Sequence, residues 1–416
     1  MSAFSPQDAE RYLLSLEMFG MRFGLDRMRR LMTALGHPQR RFDSIHVVGT
    51  NGKSSTTRMI AAILREHGVR SGSYLSPHLV SFCERIRIED ADCEPVAFAA
   101  AVQRAAHAAE LVDRSLPAED RVTQFEALTA AAYSELAERG VDVAVVEAGL
   151  GGRYDATNVI PSAVQVLTSV GLEHTRWLGP TISDIAGEKL DVVQEGGTLV
   201  LGAALDPDAE AVAVHVAADR GARIVRAPLD SGIAVGAPGA FQRRNFALAL
   251  EASRAYLGDL DGRAVERAAA DVRIPGRLQT IGRDPLTVVD AAHNPEGVAA
   301  LVESLAEIGG GASPIVAVVS ILEDKDAAEM LSALVEVCDG VIFTRASNPR
   351  ALPPPTLESL WRQLGGPAGE LAADPGFALQ RARELASGDG MVLATGSIYL
   401  AAELLAPNRR RHVSTL

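Results

Sequence analysis

Residues 45 to 57 form one stretch in which a short apolar run passes through a glycine-lysine-hydroxyl loop into a periodic segment. Ile45 to Val48 is typical of a buried strand, and Thr57 to His67 carries apolar residues at helical spacing. A loop in that position points backbone N–H groups and a helix N-terminus at one place, which suits a polyanion. Lys53 adds positive charge. The stretch therefore predicts a nucleotide triphosphate site rather than a tight turn that happens to contain a lysine.

The loop departs from the strict Walker A pattern, because Val47 stands where that pattern has its first glycine. A shorter glycine-lysine loop remains, and the hydroxyls after it could reach a magnesium ion. ATP binding is assigned to seven consecutive residues: Gly49, Thr50, Asn51, Gly52, Lys53, Ser54 and Ser55.

The length and composition restrict the class of protein. With 416 residues the chain exceeds what one hydrophobic core usually serves, so we expect two domains. A net charge of −13 argues against a nucleic-acid or anionic-membrane surface. Three cysteines without CxxC spacing fit a reducing cytosol and provide no structural zinc site. No leader segment and no apolar run of spanning length is present, so a cytoplasmic protein is expected.

Polar residues follow several apolar runs of the first half. Ser76 comes after a short strand, Glu147 ends an almost continuously apolar run, and His174 follows a third strand. The carboxyl ends of parallel strands meet at one edge of a sheet, where ligands bind. A strand-end glutamate is often only solvated, but beside a phosphate loop we favour a role as an oxygen ligand of magnesium.

Three features of the first half leave alternatives open. Thr123 with Glu126 is either a capping box or part of a substrate site. The glycine-rich segment 19–25 is either a helix connection or a substrate-contacting loop. Lys189 lies in a helix predicted over 181–193, and the sequence alone favours a surface position for it.

The pattern breaks at Ile274-Pro275-Gly276-Arg277, which predicts a boundary between domains 1–275 and 276–416. Beyond it strands and helices alternate, which indicates a smaller, mostly parallel, doubly wound α/β domain. Its predicted strands end close to Asp290, His293 and Ser397. Two nucleotide-fold domains with polar edges suggest a cleft that closes over ATP.

In order along the chain, these motifs resemble those of the folylpolyglutamate synthase and dihydrofolate synthase family, a branch of the Mur-type ligases. The matching stretches are 49–53, 76–79, 84–88, 147–158, 168–179, 188–189, 242–245, 275–278, 290–295, 324–326, 344–353 and 395–397. Each stretch alone is weak evidence for the family, but together and in this order they are specific for it. The resemblance implies an α/β fold with a P-loop-containing, Mur-ligase-like ATPase domain followed by the smaller Rossmann-like domain.

The resemblance also implies roles in nucleotide and metal binding. Lys53 would hold the triphosphate, and Arg277 would approach its γ-phosphate from the second domain. Asn245 and Asp290 would contact adenine and ribose. Two Mg²⁺ ions would be bound by a set that includes a lysine often carbamylated in this family: Ser76, Glu147, His174 and Lys189.

Roles in substrate binding are implied in the same way. His293 and Ser397 would position the incoming glutamate. The residues that would border a pterin substrate are Phe23, Gly24, Leu25, Thr123, Phe125 and Asp155. The residues implied to be catalytic are Lys53, Glu147, His174, Lys189, Arg277 and His293. The family is commonly monomeric, and its partners are small molecules.

The implied reaction forms an amide. A carboxylate is a poor electrophile, so it first attacks the γ-phosphate of ATP, giving an acyl phosphate and ADP. The amine of L-glutamate then displaces phosphate. Water must be excluded to protect the intermediate.

Three departures from the family pattern leave the acceptor open. Ser54 replaces the usual glycine, Leu190-Asp191 follows Lys189 in place of Ala-Gly, and the segment 201–241 is shorter than usual. The leading hypothesis is a ligase that adds glutamate to dihydropteroate, to folate, or to both. The alternatives are a Mur-family paralogue with another acceptor or amino acid, and a nucleotide-binding regulator without turnover.

Overall fold

The computed structural model describes residues 3–16, 24–117 and 120–406. Within these ranges the chain divides into two compact units. The first contains residues up to 236 together with 243–272, and the second contains 237–242 and the residues from 273 onward. The second unit thus begins slightly before the predicted boundary at 275/276. It also includes the short segment 237–242, which the sequence did not indicate.

The first unit combines a large sheet with helices on both sides. Its strands are β1 (Asp43–Val48), β2 (Ser71–Tyr74), β3 (Ile86–Ile88), β4 (Ala91–Asp92), β5 (Val143–Glu147), β6 (Val164–Leu167), β7 (Thr198–Leu201) and β8 (Arg223–Arg226). Its helices are α1 (Pro6–Ser15), α2 (Asp26–Ala34), α3 (Lys53–Glu66), α4 (Pro95–Asp113), α5 (Gln124–Glu138), α6 (Thr175–Leu178), α7 (Ile182–Leu190), α8 (Pro207–Asp219), α9 (Ala240–Leu257, whose first turn groups with the second unit) and α10 (Gly262–Asp271).

The strand order places the phosphate loop in the middle of this sheet. Over the described residues the sheet has eight strands in the order β4-β3-β2-β5-β1-β6-β7-β8. All neighbours are parallel except β3 and β4, which form an antiparallel edge. Val47 of β1 pairs with Glu147 of β5, and Val48 pairs with Leu167 of β6. The carboxyl ends of these three strands therefore meet next to Gly49.

The second unit is the smaller doubly wound domain that the alternation predicted. Over the described residues its six-stranded sheet has the order β13-β12-β11-β14-β10-β9, with β9 alone antiparallel. Its strands are β9 (Gln279–Arg283), β10 (Leu286–Val289), β11 (Ile315–Val319), β12 (Gly340–Phe343), β13 (Glu370–Leu371) and β14 (Met391–Thr395). Its helices are α11 (Pro295–Gly309), α12 (Ala327–Val335), α13 (Pro354–Gln363), α14 (Pro375–Ala386) and α15 (Ile398–Leu405).

Alternating strand residues supply the two cores of this unit. Val288 packs into the core on the side of α11, α12 and α13. Its neighbour Val289 packs into the core on the side of α14 and α15. Strands buried on both faces read as continuous apolar runs, which is why they were recognisable in the sequence. No helix in the described ranges combines the length and apolar character needed to cross a bilayer.

Candidate nucleotide and acceptor site

The phosphate loop connects β1 to α3 through a left-handed residue. Gly52 has φ 87°, and α3 begins directly after it at Lys53. The expected helix start at Thr57 was therefore too late, because Lys53 and the hydroxyl residues form the first turn of the helix. The Lys53 ammonium donates hydrogen bonds to the carbonyls of Gly49 (3.0 Å) and Thr50 (3.1 Å). A cation is thus held over the backbone of the loop.

The segment after β6 fixes the shape of this loop. Thr50 N–H donates to the carbonyl of Ser169 (2.8 Å), and Asn51 N–H donates to its hydroxyl (2.9 Å). In return, the Thr168 hydroxyl donates to the Asn51 carbonyl (2.7 Å), and Gly171 N–H donates to the Thr50 hydroxyl (3.0 Å). The loop conformation therefore depends on two sequence segments more than a hundred residues apart.

Two glycines allow close contacts around the loop. A Cβ at Gly49 would lie 1.9 Å from the Thr168 hydroxyl oxygen, and φ there is 151°. A Cβ at Gly52 would lie 2.5 Å from the Asn245 side-chain oxygen. Asn245, expected at the nucleotide, therefore does lie against the phosphate loop. Only glycine permits both the backbone angles and these approaches.

A buried carboxylate lies beside the first turn of α3. Glu147 is 1% exposed and ends β5. Its Oε1 accepts a hydrogen bond from the Ser54 hydroxyl (2.8 Å), and its Oε2 accepts one from Ser76 N–H (3.0 Å). The Ser76 hydroxyl in turn accepts a hydrogen bond from Arg85 (3.3 Å). The structure therefore brings together two of the expected metal ligands, Ser76 and Glu147, and adds Ser54 to them.

Lys189 is buried at the same loop, contrary to the surface position that sequence alone favoured. It is 4% exposed, and its ammonium lies 2.9 Å from the Gly49 carbonyl, which also accepts from Lys53. Burial, reinforced by the positive charge of Lys53, lowers the pKa of Lys189 to about 7. The burial of Lys189 results from tertiary packing. The loop after β5 packs on the end of α7, where Arg153 N–H donates to the Glu188 carbonyl (2.8 Å).

The donors fit a hard divalent cation better than a soft one. Ser76 and Glu147 offer oxygen atoms, which magnesium prefers. Across the ranges that the structure describes, no three His, Cys, Asp or Glu side chains gather into a metal-binding group. His174 is exposed, just before α6, and its Nε2 lies 3.9 Å from a carboxylate oxygen of Glu173. Any metal here would thus depend on hydroxyl and lysine-derived ligands as well.

The loop after β5 brings two of the expected acceptor residues together. A Cβ at Gly149 would lie 2.5 Å from the Phe125 ring and 3.1 Å from a carboxylate oxygen of Asp155. The Asp155 carboxylate is buried and accepts from Leu150 N–H (2.7 Å) and Thr157 N–H (3.0 Å). Burial raises its pKa, and these hydrogen bonds oppose the rise. Asp155 therefore orders its own loop.

Three further expected acceptor residues, Gly24, Leu25 and Thr123, lie near the starts of α2 and α5. Thr123 does form the capping box with Glu126: Thr123 N–H donates to the carboxylate (2.9 Å), and Glu126 N–H donates to the hydroxyl (3.3 Å). Leu25 is buried directly before α2, and Gly24 precedes it with φ 122°. Phe23 lies outside the described residues.

In the second unit, Asp290 and Arg277 come together. Asp290 is buried where β10 ends, and its carboxylate accepts from Ala292 N–H (2.7 Å) and Leu278 N–H (2.9 Å). An Arg277 guanidinium nitrogen lies 4.0 Å from it. Burial raises the pKa of Asp290, while Arg277 acts to lower it.

His293 and Ser397 follow neighbouring parallel strands of the same unit. His293 is half-buried after β10, with Nδ1 2.9 Å from the Ala291 carbonyl. Ser397 is buried after β14 and caps α15 by accepting from Tyr399 N–H (3.1 Å). The two loops are joined where Gly396 N–H donates to the Ala292 carbonyl (3.1 Å).

Comparison with known proteins gives consistent matches over nearly the whole chain. Residues 276–398 match the family model described as Mur ligase, glutamate ligase domain. The Lacticaseibacillus casei folylpolyglutamate synthase is 35% identical over 90% of this chain and 92% of its own length. The Mycobacterium tuberculosis dihydrofolate synthase/folylpolyglutamate synthase is 37% identical over 79% of this chain and 75% of its length. The chain belongs to the folylpolyglutamate synthase/dihydrofolate synthase family.

Other family members extend the comparison. A probable bifunctional folylpolyglutamate synthase/dihydropteroate synthase of Haloferax volcanii is 35% identical over 95% of this chain, which spans half of that relative's length. The Mycobacterium tuberculosis folylpolyglutamate synthase complexed with ADP has a TM-score of 0.90, with 32% identity over 98% of this chain and 99% of that one. The two-domain α/β fold of the family is therefore confirmed.

Two further family structures contain other ligands. Escherichia coli FolC in complex with DHPP and ADP has a TM-score of 0.87, with 28% identity over 97% of this chain and 98% of that one. The bifunctional enzyme of Yersinia pestis complexed with AMPPNP and Mn ion has a TM-score of 0.84, with 28% identity over 97% and 98% of the two chains. Members of this family thus bind adenine nucleotides, a divalent metal and DHPP.

Sequence reasoning missed part of this folylpolyglutamate synthase-type site. Thr168 and Ser169 were noticed only as part of a matching stretch, although they hold the phosphate loop. Arg85 is buried against Ser76 and also donates to His78 Nδ1 (2.9 Å). Nothing in the sequence indicates that Arg85, in the helical turn just before β3, is buried, because arginines are usually exposed.

Proposed function

We propose that this chain is an ATP-dependent ligase that adds L-glutamate to dihydropteroate, to a folate, or to both, and releases ADP and phosphate. The observation that carries the proposal is the phosphate loop of the first unit. There, two lysines converge on the Gly49 carbonyl, and a buried Glu147 lies behind the Ser54 hydroxyl. Such a loop can hold a triphosphate and offset the charge on its transferring oxygens.

The nucleotide would bind with its phosphates over the loop from Gly49 to Ser55. Lys53, which now donates to the backbone of its own loop, would turn to the phosphates, since ammonium–phosphate hydrogen bonds are stronger than those to neutral carbonyls. Asn245 lies against Gly52 and would contact the nucleotide from that side. Arg277 and Asp290 are proposed as nucleotide contacts of the second unit.

Magnesium is proposed as the divalent metal, with two sites. Ser76, Glu147, His174 and Lys189 would hold it, and the metal would supply charge neutralisation of the phosphates. A carbamate forms only on a neutral amine, and a pKa of about 7 leaves a large share of Lys189 neutral near physiological pH. Carbamylation of Lys189 would replace a cation with an anionic oxygen ligand.

The acceptor is proposed to bind beside the loop that follows β5. Phe125 offers an aromatic face and Asp155 a hydrogen-bonding carboxylate, both at Gly149. Thr123, with Gly24 and Leu25, would complete this side. The Escherichia coli family structure with DHPP supports a pterin as the ligand class. His293 and Ser397 of the second unit are proposed to position the incoming glutamate.

The second candidate function is ligation of a different acceptor or amino acid by the same ATP chemistry. The sequence departures at Ser54, at Leu190-Asp191 and across 201–241 favour this alternative. The segment 201–241 includes α8 and the edge strand β8.

The test is incorporation of labelled L-glutamate with ATP, in separate reactions with dihydropteroate and a reduced folate. Label in either product supports the proposal, and label in both indicates a bifunctional enzyme. Lys53→Met serves as the inactive control, because it keeps the length of the side chain without its charge. ATP binding without labelled product from either acceptor would move the assignment to the second candidate.

The location and assembly are also proposals. Cys83, Cys93 and Cys338 are all free thiols, which is consistent with a reducing cytoplasm. We propose a monomer, which sedimentation at micromolar concentration would test directly.

A further inference from the structure

A buried hydrogen-bond chain leads from the strand of the phosphate loop to the loop that follows β5. His46 lies in β1, three residues before Gly49, and is fully buried. Its Nε2 lies 2.8 Å from the hydroxyl oxygen of Thr157, which also hydrogen-bonds to Asp155 Oδ1. None of the roles considered so far uses this histidine.

The direction of the protons along this chain follows from Asp155. Its carboxylate accepts from the backbone N–H groups of Leu150 and Thr157, so it acts as an acceptor. The Thr157 hydroxyl has one proton and gives it to Asp155. The hydroxyl oxygen must then accept from His46, which places the imidazole proton on Nε2.

The imidazole is therefore neutral and carries its proton on a defined nitrogen. Burial lowers the pKa of His46 to about 3, so it stays uncharged across the physiological range. Within the described residues its Nδ1 has no hydrogen-bond partner. One directional bond thus connects this side chain to the polar network, and that bond is to Thr157.

The far end of the chain lies at the proposed acceptor site. Thr157 orients Asp155 Oδ1, while Oδ2 lies 3.1 Å from the Cβ position of Gly149, next to the Phe125 ring. Thr157 is itself anchored, because Tyr133 of α5 donates to its carbonyl (3.0 Å). Rotation of the Asp155 carboxylate is therefore opposed by groups on β1, α5 and its own loop.

We propose that His46 is a positioning residue for the acceptor, which acts through Thr157 to set the orientation of the Asp155 carboxylate. The proposal rests on the proposed function, since it takes the loop after β5 as the acceptor side. In this proposal β1 has two roles: it leads into the phosphate loop, and through His46 it also orders the loop that follows β5.

Two substitution pairs separate this role from simple packing. His46→Gln keeps an N–H donor at the position of Nε2, whereas His46→Leu keeps the bulk without a donor. Thr157→Ser keeps the hydroxyl, whereas Thr157→Val keeps the shape without it. Ser44→Ala is the matched control: Ser44 lies on the same face of β1, is fully buried, and has a hydroxyl without a hydrogen-bond partner.

The experiment measures acceptor and ADP binding by calorimetry, with dihydropteroate as the acceptor, and KM and kcat for glutamate ligation. We expect His46→Leu and Thr157→Val to weaken acceptor binding about tenfold, as for the loss of a hydrogen bond to a charged network. Their ADP affinity should stay within about twofold of that of Ser44→Ala. His46→Gln and Thr157→Ser should restore acceptor affinity. The proposal would be overturned if His46→Leu and Thr157→Val both bound the acceptor as tightly as Ser44→Ala does. It would also be overturned if these two variants lost ADP affinity and acceptor affinity equally.

A ligand-free measurement separates this inference from the proposed function. In protein with ¹⁵N-labelled histidine, the His46 signal, assigned by its loss in His46→Gln, should show a protonated Nε2 and a bare Nδ1. It should shift in Thr157→Val and not in Ser44→Ala. A protonated Nδ1 would overturn the hydrogen-bond chain itself. If the chain is present but the wild-type protein binds no pterin, the proposed function fails and the assignment of the acceptor side fails with it.

Discussion

The pKa of Lys189 is set by the burial of its side chain, which the surrounding sequence of the helix does not reveal. A lysine in an amphipathic helix is normally solvated and carries a proton up to about pH 10. Here the side chain ends on the Gly49 carbonyl beside a second ammonium, and its pKa falls to about 7. Because this shift arises from folding, it has a consequence for stability that is separate from catalysis.

Lys189→Met is expected to change the pH dependence of unfolding. Below pH 7 Lys189 is protonated in both states, and the folded protein bears the full penalty of a buried ammonium. Between pH 7 and 10.5 the unfolded state binds the extra proton, so the wild-type free energy of unfolding rises relative to Lys189→Met. The gain is at most about 1.4 kcal/mol per pH unit. Urea unfolding of both proteins at pH 7, 8 and 9, without bicarbonate, measures it. A constant difference across this range would contradict the shifted pKa.

Gly52→Ala tests the geometry of the phosphate loop. The left-handed backbone at Gly52 costs an alanine about 1–2 kcal/mol, and its Cβ would approach Asn245 to 2.5 Å. We expect a loss of stability of that size and ADP binding weakened at least about tenfold. Gly187→Ala is the matched control, because Gly187 lies within α7 with nothing within 4 Å of its Cβ position. That variant should be neutral or up to about 1 kcal/mol more stable. Equal ADP affinities in the two variants would show that the loop tolerates a side chain.

At the scale of elements, α5 and α7 begin with the same device. Thr123 with Glu126 and Thr181 with Asp184 both form complete capping boxes. They differ in surroundings: Thr181 and Asp184 are exposed, whereas Glu126 is buried and also accepts from Arg27 of α2 (3.0 Å). The cap of α5 is therefore part of a buried ion pair that joins two helices.

Thr123→Ala is expected to destabilise the protein more than Thr181→Ala. Loss of an N-cap typically costs about 1 kcal/mol, and we expect about that or less at the exposed Thr181. At Thr123 the loss should approach about 2 kcal/mol, because a buried carboxylate loses a hydroxyl donor. Thr123→Ser should keep the cap. A higher acceptor KM in Thr123→Ser, with stability unchanged, would reveal the substrate role as well.

Most elements were recognisable in the sequence because their signals are local. Apolar runs marked β1 and β5 and, in the second unit, β10, β11, β12 and β14, and cap residues marked the start of α5. The start of α3 was placed too late, since Lys53 and the hydroxyls after it resemble a loop when read without the left-handed Gly52. β8 went unnoticed because it is a half-exposed edge strand with arginine at both ends and therefore lacks a continuous apolar run.

At the scale of the whole molecule, the order of motifs identified the family, but contacts between distant segments were not predictable. Thr168 reaches the phosphate loop, and Thr157 reaches His46, only after the sheet has formed. Such pairs carry no periodicity or spacing that a single sequence could reveal. The lowered pKa of Lys189 was unpredictable for the same reason, because the phosphate loop that follows β1 forms the surroundings of its side chain. Site residues at strand ends were predictable, whereas the residues that hold them in place were not.

The division into two units with separate cores predicts unfolding in more than one step. The chain has two tryptophans: Trp177 is in the first unit, and Trp361 is in the second, fully buried with its N–H donating to the Pro367 carbonyl (2.8 Å). Trp177→Phe leaves Trp361 as the fluorescent reporter of the second unit, while circular dichroism follows both units. Because each unit buries its own apolar surface, we expect the fluorescence midpoint in urea to differ from the dichroism midpoint. ADP should shift the dichroism curve, since the phosphate loop belongs to the first unit. Coincident midpoints with and without ADP, together with equal calorimetric and van't Hoff enthalpies, would instead mean that the two units unfold as one cooperative structure.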